Sequence, residues 1–243
     1  MIEARNLQKQ FGTFSAVQDV SLCAQDGQIT GLLGHNGAGK STTLRMLTGL
    51  LEPNRGTVHI DGVDLQQDPE AGRRRMGVLP DSRGLYLRLT AREHLHYYGE
   101  LQALSGGSLR ERTSVVLKQL KMEAIADRRV EGFSQGERTK VALARALVHD
   151  PRNILLDEPT HGLDVLSTRA LREFLLSLKV RGYCILFSSH VMQEIETLCD
   201  HVLIMSRGKL VAQGTPEALC AQTGCASIED AFVRLSESST EAP

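Results

Sequence analysis

The chain has 243 residues, which suits one α/β domain with an added segment or two small domains. Lys and Arg total 28 against 29 for Asp and Glu, and this balance argues against a nucleic-acid partner. The five cysteines are widely spaced without a C-x-x-C pair, which indicates neither a disulfide framework nor a zinc site. No stretch approaches ~18 uninterrupted apolar residues and the start has no apolar leader, so we expect a cytoplasmic chain.

The amino-terminal part is predicted to be rich in strands, because short apolar segments alternate with glycines. These strands are expected at residues 2–7, 16–22, 29–33, 57–60 and 76–79. Further along, Thr90 and Glu93 fit a capping box that opens a helix running toward Leu104. A second helix is predicted over residues 109–121. Residues 84–150 are therefore predicted to be a helical insertion.

Strand and helix patterns alternate in the second half of the chain. Apolar runs predict strands at residues 154–156, 184–187 and 202–205. Periodic runs between them predict helices at residues 165–180 and 191–198. This alternation predicts a mostly parallel sheet of an α/β protein. The last residues, 236–243, are small and polar, and we expect them to be disordered.

Residues 34–41, GHNGAGKS, fit the phosphate-binding pattern G-x-x-x-x-G-K-[ST]. Their glycines let the backbone approach phosphate oxygens closely. Lys40 would supply a charge for the outer phosphates, and the Ser41 hydroxyl could ligate magnesium. The alternative is a glycine-rich loop that only turns the chain. A predicted strand before the loop and a helix after it favour binding of a nucleoside triphosphate.

A second candidate site follows the predicted strand at residues 154–156, which ends in Asp157 and Glu158. Open α/β sheets bind their ligands at this carboxyl edge. Asp157 is suited to hold magnesium through water, and Glu158 to polarise the water that attacks a γ-phosphate. The alternative is a solvated acidic turn, which the phosphate loop upstream makes less attractive.

Two weaker signals complete the pattern. Ser134 and Gly136 precede a predicted helix at 137–148, and such a helix start is another anion-binding end. An ordinary capped helix is the alternative; a second anion end in one chain suggests a site completed by a second copy. His190 follows the strand at 184–187 and could bond a γ-phosphate, although a structural histidine is the other interpretation.

These motifs resemble, in their order, the ATPase subunits of ABC transporters, together with LLDEP at 155–159 and GLD at 162–164. The resemblance extends from residue 2 to about residue 235. It implies a P-loop NTPase cassette with a mostly parallel core sheet, an antiparallel amino-terminal β part and a helical insertion. The implied domains are an ATP-binding core of 1–83 and 151–215, a helical subdomain of 84–150 and a helical tail of 216–235.

The resemblance also implies a role for each matching residue. ATP would be contacted by Phe11, stacked on adenine, by the loop residues Gly34, His35, Asn36, Gly37, Ala38, Gly39, Lys40, Ser41 and Thr42, and by Ser134 and Gly136 of a second copy. Catalysis would use Glu158, His190 and Lys40. Magnesium would be held by Ser41, Asp157 and, less securely, by Asp81, which stands where a glutamine is common. Asp164 would join the two sites, cap a helix, or both.

Residues 81–86 and 89–93 are similar to the two-component sodium-efflux exporters, and residues 227–232 to the wider group that exports drugs, polysaccharides or ions. The implied protein is a dimeric ATPase on the cytoplasmic face of a membrane, which drives export through a polytopic membrane subunit docked near residues 81–98. The alternatives are a soluble regulatory ABC ATPase without a membrane partner, or an exporter of drug or polysaccharide rather than Na⁺.

Overall fold

The computed structural model describes residues 1–238. Within them the strands are β1 Ile2–Phe11, β2 Phe14–Ala24, β3 Ile29–Gly34, β4 Arg55–Ile60, β5 Val63–Asp64, β6 Met76–Leu79, β7 Asn153–Asp157, β8 Cys184–Ser189, β9 His201–Ser206 and β10 Lys209–Gly214. The α-helices are α1 Lys40–Leu47, α2 Pro69–Arg74, α3 Ala91–Leu101, α4 Gly106–Gln119, α5 Gln135–Leu147, α6 Val165–Val180, α7 Met192–Leu198, α8 Pro216–Thr223 and α9 Ile228–Ser238.

The strands form two sheets. The amino-terminal sheet has the order β2-β1-β4-β5, and all its pairings are antiparallel. The larger sheet has the order β10-β9-β3-β8-β7-β6, in which only the β9–β10 pair is antiparallel. The predicted α/β fold is therefore confirmed, with its mostly parallel core sheet and its antiparallel amino-terminal sheet.

The register of the larger sheet aligns the carboxyl ends of β3, β7 and β8 at one edge. Strands β3 and β8 are buried along their whole length, as their apolar sequences require for central parallel strands. Leu33 pairs with Ser189, and Asp157 pairs with Ser188. The ends of β3, β7 and β8 consequently lie side by side, at the edge where such sheets bind ligands.

Helices α3, α4 and α5 lie within the segment predicted to be a helical insertion. The predicted capping box of α3 is present, since Glu93 N donates to Thr90 Oγ1 and Thr90 N donates to Glu93 Oε2. Helix α5 packs closely on β6, where a Cβ at Gly77 would lie 2.2 Å from the Ala146 carbonyl oxygen. Helix α4 begins at Gly106 and ends at Gln119, earlier at both ends than predicted.

Several elements differ from the sequence-based expectations. Strand β5, helix α2 and strand β10 were not predicted, because segments of two to six residues carry too little periodicity. The expected disorder of residues 236–243 is wrong at its start, since α9 continues through Ser238. The burial of Ile228, Ala231 and Phe232 stabilises α9, so the helix continues into the small and polar residues at its end. Residues 239–243 lie outside the described part of the chain.

None of the helices within residues 1–238 is long and apolar enough to cross a bilayer.

Candidate active site

The loop between β3 and α1 needs its glycines for steric reasons. Gly37 and Gly39 have φ angles of +82° and +102°, which side chains other than hydrogen disfavour. A Cβ at Gly39 would lie 2.7 Å from the Ala16 carbonyl oxygen, and one at Gly34 would lie 2.7 Å from that of Met205. Gly39 also offers no side-chain cap to α1. The first amides of this helix are therefore available to an anionic ligand.

Lys40 lies at the start of α1 with only 6% of its side chain exposed. Its Nζ donates to the Gly34 carbonyl oxygen at 2.7 Å and lies 3.6 Å from Glu158 Oε1. A buried ammonium group needs such partners because it has lost its hydration. The side chain is therefore held across the loop, beside the acidic end of β7.

Asp157 is the centre of a small hydrogen-bond network. Ser188 Oγ donates to Asp157 Oδ1 at 2.6 Å, and Ser41 Oγ donates to the same oxygen at 3.3 Å. The Glu158 amide in turn donates to Ser188 Oγ at 3.1 Å. Ser188 was not singled out as a site residue from the sequence. The signal that could have found it is its place at the end of a strand that pairs with β7.

Glu158 is held from two sides. Its backbone has a φ angle of +48°, an uncommon conformation for a residue with a side chain and one that recurs at functional sites. His190 Nδ1 donates to Glu158 Oε2 at 2.9 Å, while Oε1 faces the Lys40 ammonium. The carboxylate is thus fixed by a cation at one oxygen and an imidazole at the other.

A cavity of about 440 Å³ opens above this network. From the predicted set, its wall contains His35, Asn36, Gly37, Gly39, Lys40, Ser41, Thr42, Asp81, Glu158 and His190. Gly34 ends β3, Ala38 is buried within the loop, and Asp157 contacts Ser41 from the neighbouring strand. The structure therefore brings together residues from four separate parts of the chain around one space.

The aromatic side chain on the wall of this cavity is Phe14, which is 64% exposed. Phe11 pairs with Phe14 across the β1–β2 hairpin, and its ring lies 5.4 Å from Lys9 Nζ. The stacking of Phe11 on adenine remains a prediction, and Phe14 is a second candidate that sequence reasoning missed.

Asp81 and His161 also line this cavity. The segment after Asp81 is joined to the turn of His161, because Arg83 Nη2 donates to the His161 carbonyl oxygen at 3.3 Å. Burial lowers the pKa of the Arg83 guanidinium, and the charge of Asp81 opposes that shift. The His161 ring lies 6.4 Å from the His190 ring. His161 was likewise missed from the sequence, where it reads as one more turn residue.

Ser134 and Gly136 lie elsewhere and do not line the cavity formed within residues 1–238. Ser134 caps α5, since Glu137 N donates to Ser134 Oγ at 3.2 Å and Ser134 N donates to Glu137 Oε2 at 2.8 Å. A Cβ at Gly136 would lie 2.5 Å from Ser167 Oγ. Asp164 caps α6 as predicted, and its hydrogen bonds from Ser167 lower the pKa of its carboxyl group.

Comparison with known proteins agrees with this geometry. A profile of the ABC transporter family matches residues 17–161. The chain is 45% identical over 217 residues to the ABC transporter ATP-binding protein NatA of Bacillus subtilis, covering 89% of this chain and 88% of the relative. It is 40% identical over 229 residues to the Nod factor export ATP-binding protein I of Burkholderia lata, covering 94% and 75%.

Solved structures give the same result. The ATP-binding subunit of an ABC transporter superposes with a TM-score of 0.88 at 33% identity, covering 97% of this chain and 99% of that one. A dimeric ATP-binding cassette in a post-hydrolysis state, bound to ADP and Pi, superposes with a TM-score of 0.79 at 27% identity. The match covers 88% of this chain and 98% of that one. The chain therefore belongs to the ABC transporter family, as an ATP-binding subunit, and the identification made from its motifs is confirmed.

Proposed function

We propose that this chain is the ATP-hydrolysing subunit of an exporter, with residues 34–42 as its ATP-binding loop. One observation carries the proposal: Lys40, Glu158 and His190 meet at a single cavity, although they come from three different strand ends. A cation, a carboxylate and an imidazole in contact are suited to bind phosphates and to take a proton from water.

The proposed reaction assigns one task to each group. Lys40 binds the outer phosphates of ATP, and this contact competes with its 3.6 Å ion pair to Glu158. Glu158 then accepts a proton from the water whose oxygen bonds to the γ-phosphorus, while the bond from that phosphorus to the β–γ bridging oxygen breaks and ADP leaves. His190 holds Glu158 through Oε2 and faces the same cavity. The ion pair with Lys40 therefore holds the Glu158 carboxylate at the cavity until nucleotide binds.

Magnesium fits the oxygen donors at this edge. The Ser41 hydroxyl and the Asp157 carboxylate already meet at 3.3 Å, and both are hard ligands of the kind that magnesium prefers. No cluster of three or more His, Cys, Asp or Glu forms a self-sufficient metal site in the described residues. This suits an ion that binds one or two side chains together with substrate phosphates. When bound, it would neutralise phosphate charge; Asp81 remains a further candidate ligand.

We further propose that a second copy completes the site with Ser134 and Gly136. Two findings support this: the capped start of α5 lies outside the cavity, and a relative of 27% identity forms a dimer. ATP would act as the ligand that favours the closed dimer, and its hydrolysis would remove the contacts that favour closure.

A polytopic membrane subunit is the proposed second partner, with this chain peripheral on the cytoplasmic face. The docking region proposed at residues 81–98 carries exposed Tyr86, Leu87 and Tyr97, and apolar side chains grouped in this way are typical of interaction surfaces.

Export is supported by the relative named for Nod factor export. Na⁺ is the proposed cargo, from the resemblance of this segment to sodium-efflux exporters. Co-purification with a membrane protein and cation flux in vesicles would separate these proposals from a regulatory ATPase or a drug or polysaccharide exporter.

The test of nucleotide binding is calorimetry with a Lys40→Ala variant. We expect this variant to lose most of its ATP affinity, because the phosphates lose their buried cation. Arg45→Ala is the matched control, since it removes an exposed cation from the same helix. Full ATP affinity in a folded Lys40→Ala protein would refute the assignment of the loop.

A further inference from the structure

An aromatic pair joins helix α9 to the predicted phosphate-binding loop. The ring of Phe232 lies 4.7 Å from the ring of His35, with an angle of 65° between their planes. This is the edge-to-face arrangement that aromatic rings favour. Phe232 is fully buried, whereas His35 belongs to the loop between β3 and α1. The last described helix is therefore in contact with the nucleotide site.

The position of α9 is set by neighbours other than the loop. Ile228, Ala231 and Phe232 bury one face of the helix in the core. The Ile228 amide donates to Glu196 Oε1 of α7 at 3.1 Å, and Arg234 Nη1 donates to the Thr223 carbonyl oxygen of α8 at 2.7 Å. Phe232 therefore lies on a helix that is held by core packing and by hydrogen bonds to α7 and α8.

His35 connects this contact to the reacting groups. Its carbonyl oxygen accepts from Ala38 N at 3.1 Å and from Lys40 Nζ at 3.4 Å. A displacement of His35 would therefore move an acceptor of the lysine that is proposed to bind phosphate. The loop and the end of α9 also enclose a common cavity of about 280 Å³, lined by Asn36 and Gly37 on one side and Glu237 on the other.

We propose that Phe232 is a positioning residue of the phosphate loop. Docked α9 holds His35, and through it the loop, in the conformation that binds nucleotide. Docking of α9 and nucleotide binding are consequently coupled, and the coupling acts equally in both directions. The inference rests on the proposed function, since it requires that this loop bind nucleotide.

The first test uses the unmodified chain and hydrogen exchange with and without Mg-ADP. ADP is chosen because it lacks the γ-phosphate, so protection does not depend on closure with a second copy. We expect ADP to slow amide exchange in α9 by about threefold to tenfold, alongside protection of the loop. Loop protection with unchanged exchange in α9 would overturn the coupling. Absence of both loop protection and ADP binding would instead refute the proposed function.

The second test measures ADP affinity by calorimetry in His35→Ala and Phe232→Leu. Leucine keeps an apolar side chain in the buried position, and His35 is exposed, so both variants should fold. We expect each to weaken ADP binding by about threefold to tenfold, and the double variant to be no weaker than either single one. Val233→Ala, an exposed change in the same helix, is the control and should bind normally. Normal affinity in both folded variants, or fully additive losses, would overturn the proposal.

Discussion

The two helix starts predicted to bind anions differ in how their own residues surround them. At α1, Gly39 provides no cap, and Lys40, Ser41 and the carboxylates of β7 surround the helix end. At α5, the capping box satisfies the amides of Ser134 and Glu137, and the predicted catalytic groups lie elsewhere. The first helix end gathers most of the predicted site residues around one cavity. The second is a capped end outside the cavity, and we propose that it contacts the ATP bound by a second copy.

The largest effect should come from Glu158→Gln, which keeps the shape of the site but removes its base. We expect turnover to fall by about 100-fold or more, with ATP binding retained. Phosphate release and calorimetry would measure the two properties, and Glu111→Gln on the exposed face of α4 is the control. Turnover equal to that of the unmodified chain would show that the base lies elsewhere.

The next effect concerns the second helix end. Ser134→Asp and Ser134→Asn both keep a good cap for α5, but only aspartate places a negative charge at the predicted γ-phosphate contact. We expect Ser134→Asp to lower turnover about tenfold or more relative to Ser134→Asn, because like charges repel across an interface. ATP binding to the monomer should be the same in both. Equal turnover of the two variants would argue against a γ-phosphate contact at this position.

A smaller effect separates the two aromatic candidates. Base–aromatic stacking is worth about 1–3 kcal/mol, so loss of the adenine platform should weaken ATP binding by about fivefold or more. We expect this loss in Phe11→Ala and a lesser one in Phe14→Ala, measured by calorimetry. Both side chains are exposed, so neither change should unfold the chain. A larger loss of ATP affinity in Phe14→Ala than in Phe11→Ala would instead assign adenine stacking to Phe14, which lines the cavity.

The smallest effect is a pH dependence of stability that originates in the helical segment. Burial lowers the pKa of both His94 and His149. Each ring donates from Nε2 to a carbonyl oxygen, that of Tyr86 and that of Met76 respectively, while its buried Nδ1 has no hydrogen-bond partner within residues 1–238. The folded chain therefore keeps these rings neutral, while the unfolded chain takes up protons below about pH 6.5. Stability contributed by the neutral rings should be lost as the pH falls through that range.

Urea unfolding followed by circular dichroism at several pH values would measure this loss. We expect the urea midpoint to fall between about pH 7 and 5, and to fall less in the His94→Gln, His149→Gln double variant. A midpoint that falls equally in the double variant would assign the acid sensitivity to other groups.

The sequence was most informative where a function is built from neighbours in the chain. The phosphate loop, the acidic pair at the end of β7 and the caps of α3, α5 and α6 could all be predicted from short patterns, because their geometry depends on residues a few positions apart. The helix ends were placed less well, as the early start of α4 shows. Short elements such as α2 and β10 carry too few residues for a periodic signal.

The sequence by itself therefore determined the chemistry available to this protein: a lysine in a glycine loop, two carboxylates after a strand and a histidine after another. Only the tertiary structure decided which of them touch. The parallel register of β7 and β8 sets Ser188 against Asp157, and the packing of α9 sets Phe232 against His35. Such contacts join segments far apart in the chain, so they depend on strand order and core packing, which local patterns do not encode.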